Sequence, residues 1–180
     1  MSTGHTMLAV GAMLLLSVSI LGINNKFLNT STVLYNTKFG VLAVSLGASI
    51  IEEANGKAFD LAGSSDAIND LSQLTAPSGL GPANGEVYPD FNDFDDFNNF
   101  KDTITIKIRA TPGDVLKTFA EFYIACKVRY VSESNPSTVS SSTTWHKRLD
   151  VSVTSPSMKN QNNTQDTIRL SSVYSYWKFR

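Results

Sequence analysis

MLAVGAMLLLSVSILGI, residues Met7 to Ile23, is the stretch on which the reading of this chain turns. It is apolar apart from Ser17 and Ser19. From Met1 to Ile51 there is no acidic residue, the only full charges are Lys26 and Lys38, and the first proline is Pro77. Such a segment suits one long helix of roughly 85–90 Å at 1.5 Å per residue. Its first half is greasy on every side and its second half is striped. Gly11 and Gly22 lie inside the greasy half. Each costs a helix about 1 kcal/mol relative to Ala, a cost tolerated where helices approach closely or a rod must bend.

The run lacks the marks of a removed signal peptide. No Lys or Arg stands in front of it, and Asn24-Asn25-Lys26 makes a poor cleavage site. A retained segment is expected, at the short end for a bilayer span. That length allows both a stay in the membrane and a later home in a protein core.

Beyond Ile23 the polar residues Asn24 to Lys26 and Asn29 to Thr32 loosen helix propensity. From Val33 the pattern turns amphipathic. Leu34, Val41, Leu42, Ile50, Ile51, Ala54, Ala58 and Phe59 fall mainly on one broad stripe, with Glu52, Glu53, Asn55 and Lys57 off it. The helix is expected to end at Ala62-Gly63-Ser64-Ser65 and to lie against a sheet. Residues 66–74 read as a short helix or turn, and residues 76–88, with two prolines and three glycines, as a loop. Residues 90–100, DFNDFDDFNNF, read as a solvated acidic loop anchored by Phe91, Phe94, Phe97 and Phe100.

The last third alternates with period 2. Strands are expected over residues 103–109, 119–131, 145–153 and 167–179, with Ser/Thr-rich exposed connections at 132–144 and 155–165. One polar face on each strand fits a sheet covered on one side, and the helix stripe is its natural cover. The fold class is therefore α+β: a long N-terminal helix and about four antiparallel strands. The organisation is 1–30 apolar helix, 31–62 amphipathic helix, 63–102 loop region and 103–180 sheet.

Composition bounds the function. A net charge of −1 over 180 residues gives no pull toward nucleic acid. One cysteine, Cys126, permits no intrachain disulfide, and its place on the apolar parity of a strand makes it a buried hydrophobe. Two distant histidines supply neither a zinc site nor a triad, so no catalytic constellation is present and no enzyme is expected. His146, Lys147 and Arg148 form a small basic cluster, read as solvated or paired with a neighbour's acidic loop. Tyr174, Tyr176, Trp177 and Phe179 read as core or interface packing. Asp90, Asp93, Asp95 and Asp96 cluster carboxylates of the kind Ca²⁺ takes, although the EF-hand spacing fails at Phe94. No other cofactor is expected. Asn29 and Asn162 match the N-glycosylation sequon, and residues 137–144 could take O-glycans.

A retained apolar N-terminal helix, an amphipathic continuation and an antiparallel sheet resemble a type IV pilin or pseudopilin. In that family the mature chain usually starts with Phe or Met and carries Glu at the fifth position, which pairs with a neighbour's N-terminal amine. Met1 suits the first position; the fifth is His5, whose neutral imidazole accepts a hydrogen bond but brings no charge. Met1 and His5 are thus the N-terminal register positions. The resemblance implies a subunit that waits in the inner membrane, is handled by pilus assembly machinery, and joins an extracellular helical homopolymer. Its filament core would be Met7, Leu8, Val10, Met13, Leu14, Leu15, Leu16, Val18, Ile20, Leu21 and Ile23. The alternatives are a membrane-anchored surface binding or adhesion domain and a minor pseudopilin of a secretion system.

Overall fold

The computed structural model describes residues 3–63, 67–109, 111, 114–159 and 164–176, and of residues 24–36 the helical backbone alone. The chain divides into two compact units, Met1–Phe39 and Gly40–Arg180. It is α+β, as its patterning predicts. One helix, α1 (Thr3–Asn55), begins in the first unit and ends in the second. The second unit also holds four strands, β1 (Lys101–Ile108), β2 (Lys117–Tyr130), β3 (His146–Lys159) and β4 (Gln165–Ser175).

The strands form an antiparallel meander in chain order, β1-β2-β3-β4. Register follows the alternation: Ile124 faces Val153, Cys126 faces Val151, and Val128 faces Leu149. One face of the sheet buries Phe122, Ile124, Cys126, Val128 and Tyr130 from β2 with Leu149, Val151 and Val153 from β3. The last four turns of α1 cover that face. Ala43, Gly47, Ile50 and Ala54 are buried there, spaced four, three and four residues apart. Small residues bring the backbones close: a Cβ at Gly47 would lie 2.6 Å from Leu170 Cδ1 and 3.4 Å from Val153 Cγ2.

Several boundaries differ from the sequence reading, each for a local reason. Val41 is exposed and Leu42 half-buried, because the buried stripe runs through Ala43 and Gly47 instead. The side chain of Leu34 lies outside the described residues. The helix ends at Asn55, not at residue 62. Gly56 donates its N–H to both Glu52 O and Glu53 O at 3.1 Å, closing the last turn. Ala58 then joins a parallel bridge to Asp93, which takes Phe59 out of any helix. Strand β3 runs on to Lys159, burying Ser155 and Met158 where an exposed connection was expected. Pairing with β4 is interrupted between Thr154 and Lys159, and Pro156, which has no N–H for a ladder, sits in that gap. On β1, Ile104 and Ile106 are only half-buried and Ile108 is exposed.

The acidic tract departs most from expectation. Phe91, Phe94 and Phe97 are buried as predicted, with Phe100 half-buried; the rings of Phe91, Phe97 and Phe100 meet edge to face at 5.2–6.0 Å, and that of Phe94 meets Tyr174 at 5.2 Å. Yet Asp93, Asp95 and Asp96 are buried with them, and only Asp90 is solvated. Tyr174 and Tyr176 pack on the cluster of Phe59, Ile68, Leu74, Leu80 and Tyr130, as core aromatics should. Trp177 and Phe179 lie outside the described residues.

Candidate assembly surface and a buried charge cluster

The first unit presents an apolar helix surface. The eleven large side chains anticipated as filament core are exposed, from 55% at Ile20 to 75% at Met7 and Leu8. They lie on all sides of the helix. Thr3–Ile23 is 21 residues long, and by length and composition it can cross a membrane. At 1.5 Å per residue it matches a hydrocarbon thickness of about 30 Å. Its hydroxyls are turned inward onto the helix itself: Thr6 Oγ1 donates to Thr3 O, Ser17 Oγ to Met13 O and Ser19 Oγ to Leu15 O, each at 2.9 Å. Those polar atoms therefore cost little when the segment leaves water. Gly11 and Gly22 have no heavy atom within 4 Å of where a Cβ would stand, which leaves room for a second helix to approach closely. His5 is exposed at the start of this surface. Met1, the side chain of Asn29 and all of Asn162 lie outside the described residues.

In the second unit the sequence's charged residues converge where none was foreseen. Lys147 was read as part of a solvated basic cluster, or as a partner for a neighbouring subunit's acids. It is instead fully buried, on the same strand parity as Leu149, Val151 and Val153, and it pairs within its own chain. Its ammonium donates to Asp95 Oδ1 at 2.5 Å, Phe59 O at 2.7 Å and Asp60 Oδ2 at 2.8 Å, using all three N–H bonds. The rings of Phe59 and Tyr130 stand 4.6 and 5.4 Å from the same nitrogen. Asp60 also accepts from Thr75 N at 3.0 Å and Thr75 Oγ1 at 3.1 Å, and Tyr130 donates its hydroxyl to Thr75 O at 2.8 Å.

The remaining acids are held by the backbone. Asp93 Oδ1 accepts from Asp95 N at 2.9 Å and Asp96 N at 3.3 Å, while Asp96 Oδ2 accepts from Asn92 N at 2.9 Å and Asp93 N at 3.0 Å. These oxygens are thus engaged with protein donors. Among the described residues no group of three or more His, Cys, Asp or Glu side chains is placed to hold a metal ion. The calcium reading of Asp90, Asp93, Asp95 and Asp96 therefore gains no support, because the positive charge beside Asp95 is Lys147. Arg129 and Arg148 converge on Asp150, at 2.6 and 3.1 Å, on the face of the sheet opposite the buried one. Cys126 is buried, and burial pushes its thiol up to about 12, as befits a packing residue and not a nucleophile.

Burial, with the charges of Asp95 and Asp96, raises Asp93 to about 8. Burial likewise raises Asp95, against the pull of Lys147. The sign of the pH effect follows. Between the ordinary value of 3.8 and about 8 the folded chain keeps a proton on Asp93 that the unfolded chain has lost. Stability therefore falls as pH climbs through that window. Asp93→Asn imitates the protonated acid, with one acceptor and one donor group. We expect it to leave the acid-side melting temperature nearly unchanged and to flatten the decline, as scanning calorimetry across the window will read. An unaltered slope would dissociate Asp93 from the effect.

Sequence reasoning missed Asp60 and misplaced Lys147. The signal for Lys147 was present, since the parity of Leu149, Val151 and Val153 extended back by two residues lands on it. No protein-family model, curated protein or solved structure matches this chain.

Proposed function

We propose that this chain is a structural subunit of a type IV pilin-like extracellular filament, polymerising through residues 7–23. The observation that carries the reading is the run of eleven large apolar side chains, each more than half exposed, on every side of one helix. A monomer in water gains nothing from such a surface. Burying one Leu, Ile or Met side chain is worth roughly 1.5–3 kcal/mol relative to water. A shared bundle of these helices would hold a polymer without covalent links. A heterologous contact that does not close on itself extends into an open helix.

The same surface suits a bilayer, and the subunit is read as residing in the inner membrane until pilus assembly machinery extracts it. Helix packing inside a membrane relies on small residues, and Gly11 and Gly22 leave open space of that kind. The second unit, with its folded sheet, is the part that decorates the fibre. The reading assigns it no catalytic role. His5 is the residue nearest the neighbour's amine in the pilin arrangement and would take part as a hydrogen-bond acceptor.

Negative-stain imaging of the full-length chain after detergent removal tests the proposal. Uniform fibres that dissolve again in detergent are the expected result. Discrete particles, or chains that remain only in liposomes as monomers, would instead establish a tethered surface domain.

A further inference from the structure

Lys147 and Asp60 bring an amine and a carboxyl together in a site walled by aromatic rings. Nζ is 2.8 Å from Asp60 Oδ2, both side chains are buried to within 1% of their surface, and Phe59 and Tyr130 flank the nitrogen. In water an ammonium and a carboxylate do not condense, because both are charged and solvated. In a dry site, passing one proton from nitrogen to oxygen gives a neutral amine beside a carboxylic acid, the pair that can form an amide. Holding the two in contact replaces a bimolecular encounter with a local one, an advantage that reaches many orders of magnitude. The site also holds a second carboxyl on the same nitrogen, Asp95 Oδ1 at 2.5 Å, placed to carry protons. Asp60 Oδ1 faces Thr75 Oγ1 at 3.1 Å and Ala62 N at 3.4 Å, donors available to the negative oxygen of a tetrahedral adduct.

We propose that Lys147 and Asp60 become joined by an intramolecular amide bond, with Asp95 relaying the protons. Asp95 relays one proton from the Lys147 ammonium to Asp60 Oδ2, and the freed lone pair attacks Cγ of the resulting carboxylic acid. Charge gathers on Oδ1 against Thr75 and Ala62. Asp95 then relays a second proton from the nitrogen of the adduct to Oδ2, the Cγ–Oδ2 bond breaks, and water leaves. Of the three hydrogens on the ammonium, one stays on the amide and two depart with Oδ2 as water. No oxidant, reductant or activated co-reactant is consumed. The product exchanges two buried charges for one neutral amide and ties β3 to the segment that follows α1, across 87 residues of sequence. With a single cysteine the chain has no disulfide to perform that task. Such a link restricts the unfolded chain and resists pulling along a fibre or a tether alike, so the inference does not depend on the filament reading.

The test is the intact mass of the denatured full chain, followed by tryptic mapping. The expected mass is lower than the sequence mass by one water. Trypsin should fail to cut after Lys147, leaving residues 130–148 joined to residues 58–101, and fragment ions should place the branch at Asp60 and not at Asp95. In Asp60→Asn the leaving group becomes ammonia, so the deficit should change from water to ammonia. In Asp95→Asn, which keeps the shape of the site, the full sequence mass should return. An unreduced mass for the natural chain overturns the proposal. So does a water deficit without a joined peptide, which would mark a cyclised aspartate, and a branch at Asp95 overturns the assignment of Asp60 as the acceptor.

Discussion

Replacing Lys147 with Met is expected to cost the second unit about 3–5 kcal/mol, the range for stripping one partner from a buried ion pair. The size follows from what stays behind. Asp60 and Asp95 are almost fully buried, and each has the Lys147 ammonium as its charged partner. Without it they must either remain as uncompensated anions or take up protons at neutral pH. Against a total stability of about 5–15 kcal/mol, such a loss leaves the unit marginal. Met is apolar and close in volume, so little of the effect would come from a cavity. Urea unfolding of natural and variant chains measures the difference, and a change below about 1 kcal/mol would show that the pair is not a determinant of stability. Adding Asp60→Asn and Asp95→Asn to the variant removes the stranded charges. We expect it to regain the electrostatic part of the loss, as fully neutralised buried pairs often do, but not the part that an amide between Lys147 and Asp60 supplies by restricting the unfolded chain.

That cluster also marks where the sequence was hard to read. The greasy run of residues 7–23 and the period-2 strands speak plainly, because large apolar side chains carry the signal and recur at fixed spacing. The helix stripe was half legible. Ile50 and Ala54 were recognised, but Ala43 and Gly47 carry little hydrophobicity, and what qualifies them for the interface is their small size. Val41, larger and greasier, attracted the assignment and is exposed. The helix end was misread because Ala58 and Phe59 keep the helical period, whereas Gly56 closes the turn before them. Lys147 and the aspartates were misplaced for a common reason. A charged side chain is solvated by default, and its burial depends on partners distant in sequence: Asp60 lies 87 and Asp95 52 residues from Lys147. The Phe residues of the tract draw its aspartates inward with them, and the amides of the same turn satisfy Asp93 and Asp96.

Leu15→Asp and Leu16→Asp are each expected to abolish fibre formation while leaving the Gly40–Arg180 unit folded. Leu15 is 73% and Leu16 62% exposed, so neither substitution removes buried core packing. In a helical bundle the new carboxylate meets hydrocarbon with no cation nearby, since the only full charges before Glu52 are Lys26 and Lys38. An uncompensated charge buried this way costs several kcal/mol, and in a polymer that cost recurs at every subunit. Natural yields of fibre from either variant would remove the segment from the axis. An aspartate also disfavours a simple membrane anchor, by about 2.5–3.5 kcal/mol at a helix centre. A substitution of the opposite character separates the two roles. Gly11→Leu makes the segment greasier and improves its partition into lipid. It also fills the open space beside Gly11 that a close-packed neighbouring helix would occupy. If helices pack against one another there, the variant inserts into membranes at least as well as the natural chain but polymerises poorly or with altered helical parameters. If the segment serves only to anchor, Gly11→Leu is silent, and that contrast depends on packing alone because no charge has been introduced.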